Sequence, residues 1–302
     1  MNNATPMERG LFVEHTLASP MHIAVDRLLS CQNGELDLSG LGLTILPPIP
    51  EGIIELKCFQ NQLTSIPRLP STLVRLYCSS NQLTSLPLLP PSLEELVCSN
   101  NQLTSLPELP PLRNLWCSEN PLSSLPELPP SLRSLRCSKN QLTTLPLLPS
   151  TIQCLQCNHN PLTCLPMLPL SMELLYCHFC SLTSLPTLPT NLRELNCLIN
   201  PLETLPELPS TLEMLKATLP WVESLEEDVC LGGPKMYYTL WPEMVGAVNQ
   251  MVAMAAALTH RQSKRRCVER CKIYKEEIMM TVWHPRRVNP LIERGIDLED
   301  VM

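Results

Sequence analysis

The sequence predicts an α/β solenoid, with a parallel sheet along one side, extended proline-rich connections along the other and helical segments at both ends. Three observations carry this reading. Eight cysteines stand at 58, 78, 98, 117, 137, 157, 177 and 197, in steps of 20 residues with a single step of 19. An asparagine follows three positions later at Asn61, Asn81, Asn101, Asn120, Asn140, Asn160 and Asn200, with Cys180 filling the gap. Of 32 prolines in 302 residues, 25 lie between Leu36 and Lys216 and keep the same phase. Self-similarity at a period this short means stacked turns, because one turn cannot bury its own apolar face.

Each element follows in order. Residues 1–33 contain Met21–Leu29, whose apolar spacing fits a short amphipathic helix capping the first turn. Residues 34–220 form the solenoid, about nine turns of the unit L-x-x-L-x-C-x-x-N-x-L-T-S-L-P-x-L-P-x-S/T, as in Leu93 through Pro110. This is the leucine-rich-repeat pattern with cysteine in place of one leucine. The L-x-C tripeptide is a short strand. Stacked in parallel at about 4.8 Å, nine such strands span about 40–45 Å. Leu96 and Cys98 point inward and Val97 outward, since strand side chains alternate, and cysteine suits the inward site as a small, soft apolar group. The asparagine turns the chain, and its amide can satisfy backbone groups left unpaired by the turn. The L-P-x-L-P segment cannot be an interior helix and should run extended on the convex side. A related unit, Leu36–Pro47, opens the series; Leu215–Pro220 has lost the motif and reads as a closing turn.

Residues 221–302 change character. An acidic cluster (Glu223, Glu226, Glu227, Asp228) and the breaker Gly232-Gly233-Pro234 precede an alanine- and methionine-rich helix over Met244–Leu258, with Pro242 at its start. A second helix is expected over Lys264–Trp283, with Val268, Cys271, Ile278 and Val282 on one side, stopping before His284-Pro285. Pro290 opens a last short helix ending near Gly295.

The stretch N-Q-L-T-S-L-P-x-L-P-x-S-L resembles the LPX-type leucine-rich repeats of bacterial type III effectors, the Yersinia outer protein M and Shigella invasion plasmid antigen H class. The additional cysteine in L-x-C-S-x-N is similar to leucine-rich-repeat proteins of giant DNA viruses. Their tails resemble Cys267–Lys272, Trp283–Val288 and Asp297–Asp300 of this chain. The resemblance implies a protein-binding solenoid, in an infection or a viral particle, with no reaction attached to the repeats.

Several function classes are disfavoured. A net charge of −7 and a pI near 5.4 argue against the whole chain binding nucleic acid or an anionic membrane. No apolar run is long enough to cross a bilayer, and residues 1–20 lack the basic start and apolar stretch of a secretory signal. An intracellular site, in host cytoplasm or virion, is therefore expected. The ligase domain of the antigen class uses a Cys-x-Asp nucleophile; no cysteine here precedes aspartate at that spacing, and only about 80 residues follow the repeats. His284 with Cys267 or Cys271 would make a thiol–imidazole couple, but a histidine before proline at a helix end is ordinarily a turn residue. Cys154-x-x-Cys157 and Cys177-x-x-Cys180 have zinc-ribbon spacing, yet the repeat register sends the four side chains to different places. No enzyme activity, cofactor or metal is expected, and the thiols should be reduced, because parallel neighbouring Cβ vectors suit a disulfide torsion badly.

One basic run, with Arg261, Lys264, Arg265, Arg266, Arg270 and Lys272, could contact phosphates or serve as an import signal. Glu269, Glu276 and Glu277 dilute it, and a solvated helix face is the ordinary reading. The candidate protein-binding surface is the concave sheet. Five aromatics lie between Leu36 and Lys216, and Phe59, Tyr77, Trp116 and Tyr176 fall on outward strand positions, with Lys57 and Arg136 in the same central column. Trp, Tyr and Arg are the usual anchors of interfaces, although Tyr and Trp also favour exposed strand positions for their own sake. The expected function is a non-enzymatic scaffold binding a protein partner through this face. The alternative is a structural component that packs by its sides among viral capsid proteins.

Overall fold

The computed structural model describes residues 19–202 and 204–217. The C-terminal helices expected within 221–302, the basic run at 261–275 and the N-terminal 18 residues lie outside the described residues. Helix α1 (Pro20–Ser30) opens the fold, close to its expected bounds. Ser19 caps it, its hydroxyl accepting from His22 N–H at 3.3 Å, and Pro20 supplies a preset φ at the first helical position. Ala24 is buried against the first turn, with Leu28 and Cys31 packed beside it. Arg27 donates to the carbonyl of Asp37 at 2.9 Å, which pins the helix across the end of the stack.

Ten parallel strands follow in chain order, each hydrogen-bonded to the next: β1 (Glu35–Asp37), β2 (Glu55–Lys57), β3 (Arg75–Tyr77), β4 (Glu95–Val97), β5 (Asn114–Trp116), β6 (Ser134–Arg136), β7 (Cys154–Gln156), β8 (Leu174–Tyr176), β9 (Glu194–Cys197) and β10 (Met214–Ala217). Nine connecting turns lie between them. Most strands centre on the leucine and stop one residue before the cysteine. The ladder nevertheless continues through it, Cys98 N–H donating to the Trp116 carbonyl at 2.8 Å. The expected closing turn at Leu215 is instead a full strand, because Ala217 fills the cysteine site as a small apolar group, buried like the thiols before it.

The register stacks like on like. Leu36, Leu56, Leu76, Leu96, Leu115, Leu135, Leu155, Leu175, Leu195 and Leu215 pair across successive strands and are all buried. The eight ladder cysteines form a second fully buried column. Burial pushes every one of these thiols up, Cys58, Cys98 and Cys197 to about 12. All twelve cysteines among the described residues are free. The L-P-x-L-P segments carry neither helix nor strand, as their prolines require.

Two ladders of side chains stitch the turns together. Asn101 accepts from Leu83 N–H at 3.1 Å and donates to the carbonyls of Cys78 and Cys98 at 3.1 and 3.0 Å. Asn61, Asn81, Asn120, Asn140, Asn160 and Asn200 repeat this pattern. At the gap, Cys180 sulfur approaches the Cys157 carbonyl at 3.5 Å, a weaker substitute. The second ladder uses the S/T position: Ser92 hydroxyl donates toward the Leu73 carbonyl at 2.6 Å, Ser131 toward Leu112 at 2.8 Å and Thr151 toward Leu132 at 2.7 Å. The single 19-residue step deletes this residue. There the four-residue turn seen at Pro90–Leu93 contracts, and Leu112 N–H bonds the Pro110 carbonyl at 2.6 Å. The missing residue is absorbed in the turn, leaving the strand register unbroken.

Candidate protein-binding face

The sheet has one face in the core and one outward. Two residues per strand point outward, one on each side of the buried leucine, giving two columns at the strand-to-strand spacing. The second column reads Asp37, Lys57, Tyr77, Val97, Trp116, Arg136, Gln156, Tyr176, Asn196 and Lys216 in register. Tyr77, Trp116, Arg136 and Tyr176 therefore share one line, each half-buried. Phe59 lies two residues beyond the end of β2, where the ladder still holds: its carbonyl accepts from Gly40 N–H at 3.0 Å.

The structure sorts these candidates by what they already touch. Lys57 is occupied, its ammonium 2.7 Å from Glu55, which also meets Arg75. Burial works to raise the Glu55 carboxyl, but hydrogen bonds and charge from Lys57 and Arg75 outweigh it and hold it below the usual range. Tyr176 bonds the Glu194 carboxylate, and burial together with that partner pushes its hydroxyl up to about 12. Tyr77 is likewise raised by burial, Glu95 and Glu55.

The centre of the face differs. Trp116 and Arg136 are register partners on β5 and β6, and the guanidinium carbon sits 4.1 Å from the indole centroid. That stacking suits the planar, weakly hydrated guanidinium. Both Trp116 Nε1 and Arg136 Nε are buried without a hydrogen-bond partner.

A further cluster stands where the sequence reading placed nothing. His159 and Phe179 occupy the position just before the ladder asparagine, or its Cys180 substitute, in successive turns, and their rings stack at 4.4 Å with 12° between planes. His178 meets Phe179 edge-on at 5.9 Å, and burial, His159 and Lys216 lower its pKa. The signal was present in the repeat offset, since residues twenty apart become neighbours. Among the described residues no three His, Cys, Asp or Glu side chains converge as metal ligands would. Cys157 and Cys177 lie in the core, while Cys154 lies in the first outward column, in register with Ser134.

Comparisons with known proteins bear on the repeats. A model of the family described as leucine-rich repeats (2 copies) matches residues 91–130. The leucine-rich effector protein YopM from Yersinia pestis shares 36% identity over 65% of this chain and 65% of its own, with a TM-score of 0.58. YopM from Yersinia enterocolitica WA-314 shares 34% identity over 66% of this chain and 55% of its own, with a TM-score of 0.55. The chain thus spans less than two thirds of either effector. A Shigella effector leucine-rich-repeat domain is 34% identical over 62% of this chain and 80% of its own, with a TM-score of 0.45. No curated protein sequence matches significantly. Among the described residues no helix is long and apolar enough to cross a membrane. With its in-register leucines, its asparagine ladder and this match, the chain is a leucine-rich-repeat protein whose solenoid resembles the repeat domains of bacterial effectors.

Proposed function

We propose that the protein is a non-enzymatic scaffold that binds a partner protein through the concave, outward face of its sheet. The observation that supports this is the central line of Tyr77, Trp116, Arg136 and Tyr176, half-buried and all on one face. Rigid aromatic and arginine side chains on a fixed lattice give large contact area at little ordering cost, which is what interface anchors need. The proposal places the protein inside a cell or in a viral particle, as the resemblance of its tail to giant-virus proteins suggests.

The expected result is direct. Trp116→Ala or Tyr77→Ala weakens partner binding by about 1–3 kcal/mol each, measured by calorimetry with the partner captured from host extract. The pair Glu108→Ala with Glu127→Ala, on the proline-rich side, leaves it unchanged. Equal affinities for all variants would move the site away from the sheet.

A second reading, packing by the sides into a capsid-like assembly, is favoured by one feature. Leu147 and Met167 fill the middle of adjacent L-P-x-L-P segments and are 86% and 84% exposed, with Leu170 at 68% three residues after Met167; Leu88, 89% exposed, stands apart across Glu108 and Glu127. An exposed apolar strip of this kind marks a contact surface. On that reading Met167→Glu, and not Trp116→Ala, abolishes co-assembly.

A further inference from the structure

The geometry points to a carboxylate as the group that the partner places at the centre of the concave face, against the Arg136 guanidinium stacked on Trp116: the partner presents an acidic segment. This rests on the concave-face reading and adds the chemistry of the occupant.

Three observations carry it. Trp116 Nε1 and Arg136 Nε are both donors, both buried and both without an acceptor. Indole and guanidinium can only donate, so water or a ligand acceptor must complete them. A buried donor left unpaired is costly, and buried polar atoms are satisfied in the great majority of cases. The two are register neighbours, stacked at 4.1 Å, so one acceptor group can serve both.

The second observation is charge. Lys57, Arg75, Arg113, Lys139 and Arg193 each have a carboxylate within ion-pair distance. Arg136, like Arg27, Arg68, Arg133 and Lys216, has none among the described residues, and of these Arg136 is the outward residue of a middle strand. The outward residues of β5, β6 and β7 are Asn114, Trp116, Ser134, Arg136, Cys154 and Gln156, without an acid among them. A cation is thus held in a patch that contains no anion, on a chain of net charge −7.

The third is the boundary. Carboxylates reappear on either side of the patch, at Glu95 on β4 and at Glu194 on β9, where Glu194 is bonded to Tyr176. They repel a second acid, which fixes the inserted carboxylate at the middle of the sheet. A planar carboxylate matches the guanidinium fork, and the indole beneath keeps that fork oriented.

The test is a selection from a random twelve-residue peptide library against the full chain, followed by titration of the selected peptides. The expected result is enrichment of Asp or Glu at one position. Changing that residue to Asn or Gln should weaken binding at least tenfold. Arg136→Gln should cost a similar factor. Arg136→Lys should recover only part, since it restores charge without the fork, and Trp116→Phe should cost about threefold by removing one donor. Thermal melts confirm that each variant is folded. Selected peptides without an acidic position, or acidic peptides indifferent to Arg136→Gln, overturn the inference, as does the absence of any selected peptide. Neutral peptides that still lose affinity with Tyr77→Ala would overturn this inference alone and leave the concave-face reading standing. If peptides bind only after Glu226, Glu227 and Asp228 are neutralised, the chain fills its own site and the partner assignment fails.

Discussion

Raising the pH from 8 to 10 is expected to unfold the repeat block under reducing conditions. The cause is the cysteine column. In the unfolded chain each thiol titrates near 9.0; in the core, burial raises Cys58, Cys98 and Cys197 to about 12 and lifts the other five well above their usual value. The folded pKa is higher, so the contribution to stability is complete below 9 and is lost as pH rises from there toward 12. At pH 10 an unfolded thiol has gained about 1.4 kcal/mol by ionising while the buried one has gained nothing. Eight such sites sum to about 11 kcal/mol, comparable with the whole stability of an ordinary domain. Urea unfolding followed by circular dichroism at pH 7.5, 9 and 10 measures the slope. Replacing Cys98, Cys117, Cys137 and Cys157 by alanine should halve it. An unfolding midpoint that stays constant to pH 10 would mean that the column is not buried as described.

Removing one rung of the asparagine ladder should cost about 2–3 kcal/mol, because one buried N–H loses its acceptor and two carbonyls each lose one of their two amide donors. Asn120 accepts from Leu103 N–H at 3.0 Å and donates to the Cys98 and Cys117 carbonyls at 3.1 and 3.2 Å. Asn120→Ala leaves the Leu103 N–H unpaired and removes one of two amide donors from each carbonyl, since Cys98 keeps Asn101 at 3.0 Å and Cys117 keeps Asn140 at 3.1 Å. The reverse change, Cys180→Asn, should stabilise by about 1 kcal/mol, since it replaces two long sulfur contacts with the full set of amide bonds. Denaturant midpoints of the two variants against the native chain decide this. A loss below about 1 kcal/mol for Asn120→Ala would show that the turns hold without the ladder.

The spacing of Cys, Asn and Pro was sufficient to read the stacking, the inward and outward columns and the absence of helix in the proline segments. The reason is physical: in a solenoid, residues one period apart become neighbours, so periodicity is contact. Other features were not legible. One residue in each turn is left-handed, at Gln60, Ser80, Asn100, Glu119, Lys139, His159, Phe179 and Ile199, with φ between 52° and 58°. Gly40, at the equivalent point of the first turn, and Asn100 are of residue types that suit this conformation. The asparagine ladder overrides local preference at the rest, even for the β-branched Ile199. The tenth strand was hidden because Ala217 replaces cysteine and only its register identifies it. The candidate face was legible as a column, but not in its pairings. Register places Lys57 and Arg136 alike; only the rotamers show that Glu55 engages the first while the second lies on Trp116.

Hydroxyl-radical footprinting of the free chain and of its complex reports on both sides of the solenoid at once, because reactive side chains stand on each. Tyr77, Trp116 and Tyr176 line the outward sheet face, and Met167 stands 84% exposed on the proline-rich side. Binding through the concave face predicts that oxidation of Trp116 and its neighbouring tyrosines falls severalfold on complex formation while that of Met167 is unchanged. Protection of Met167 with Trp116 still oxidised at its free rate would contradict it and place the partner on the convex side.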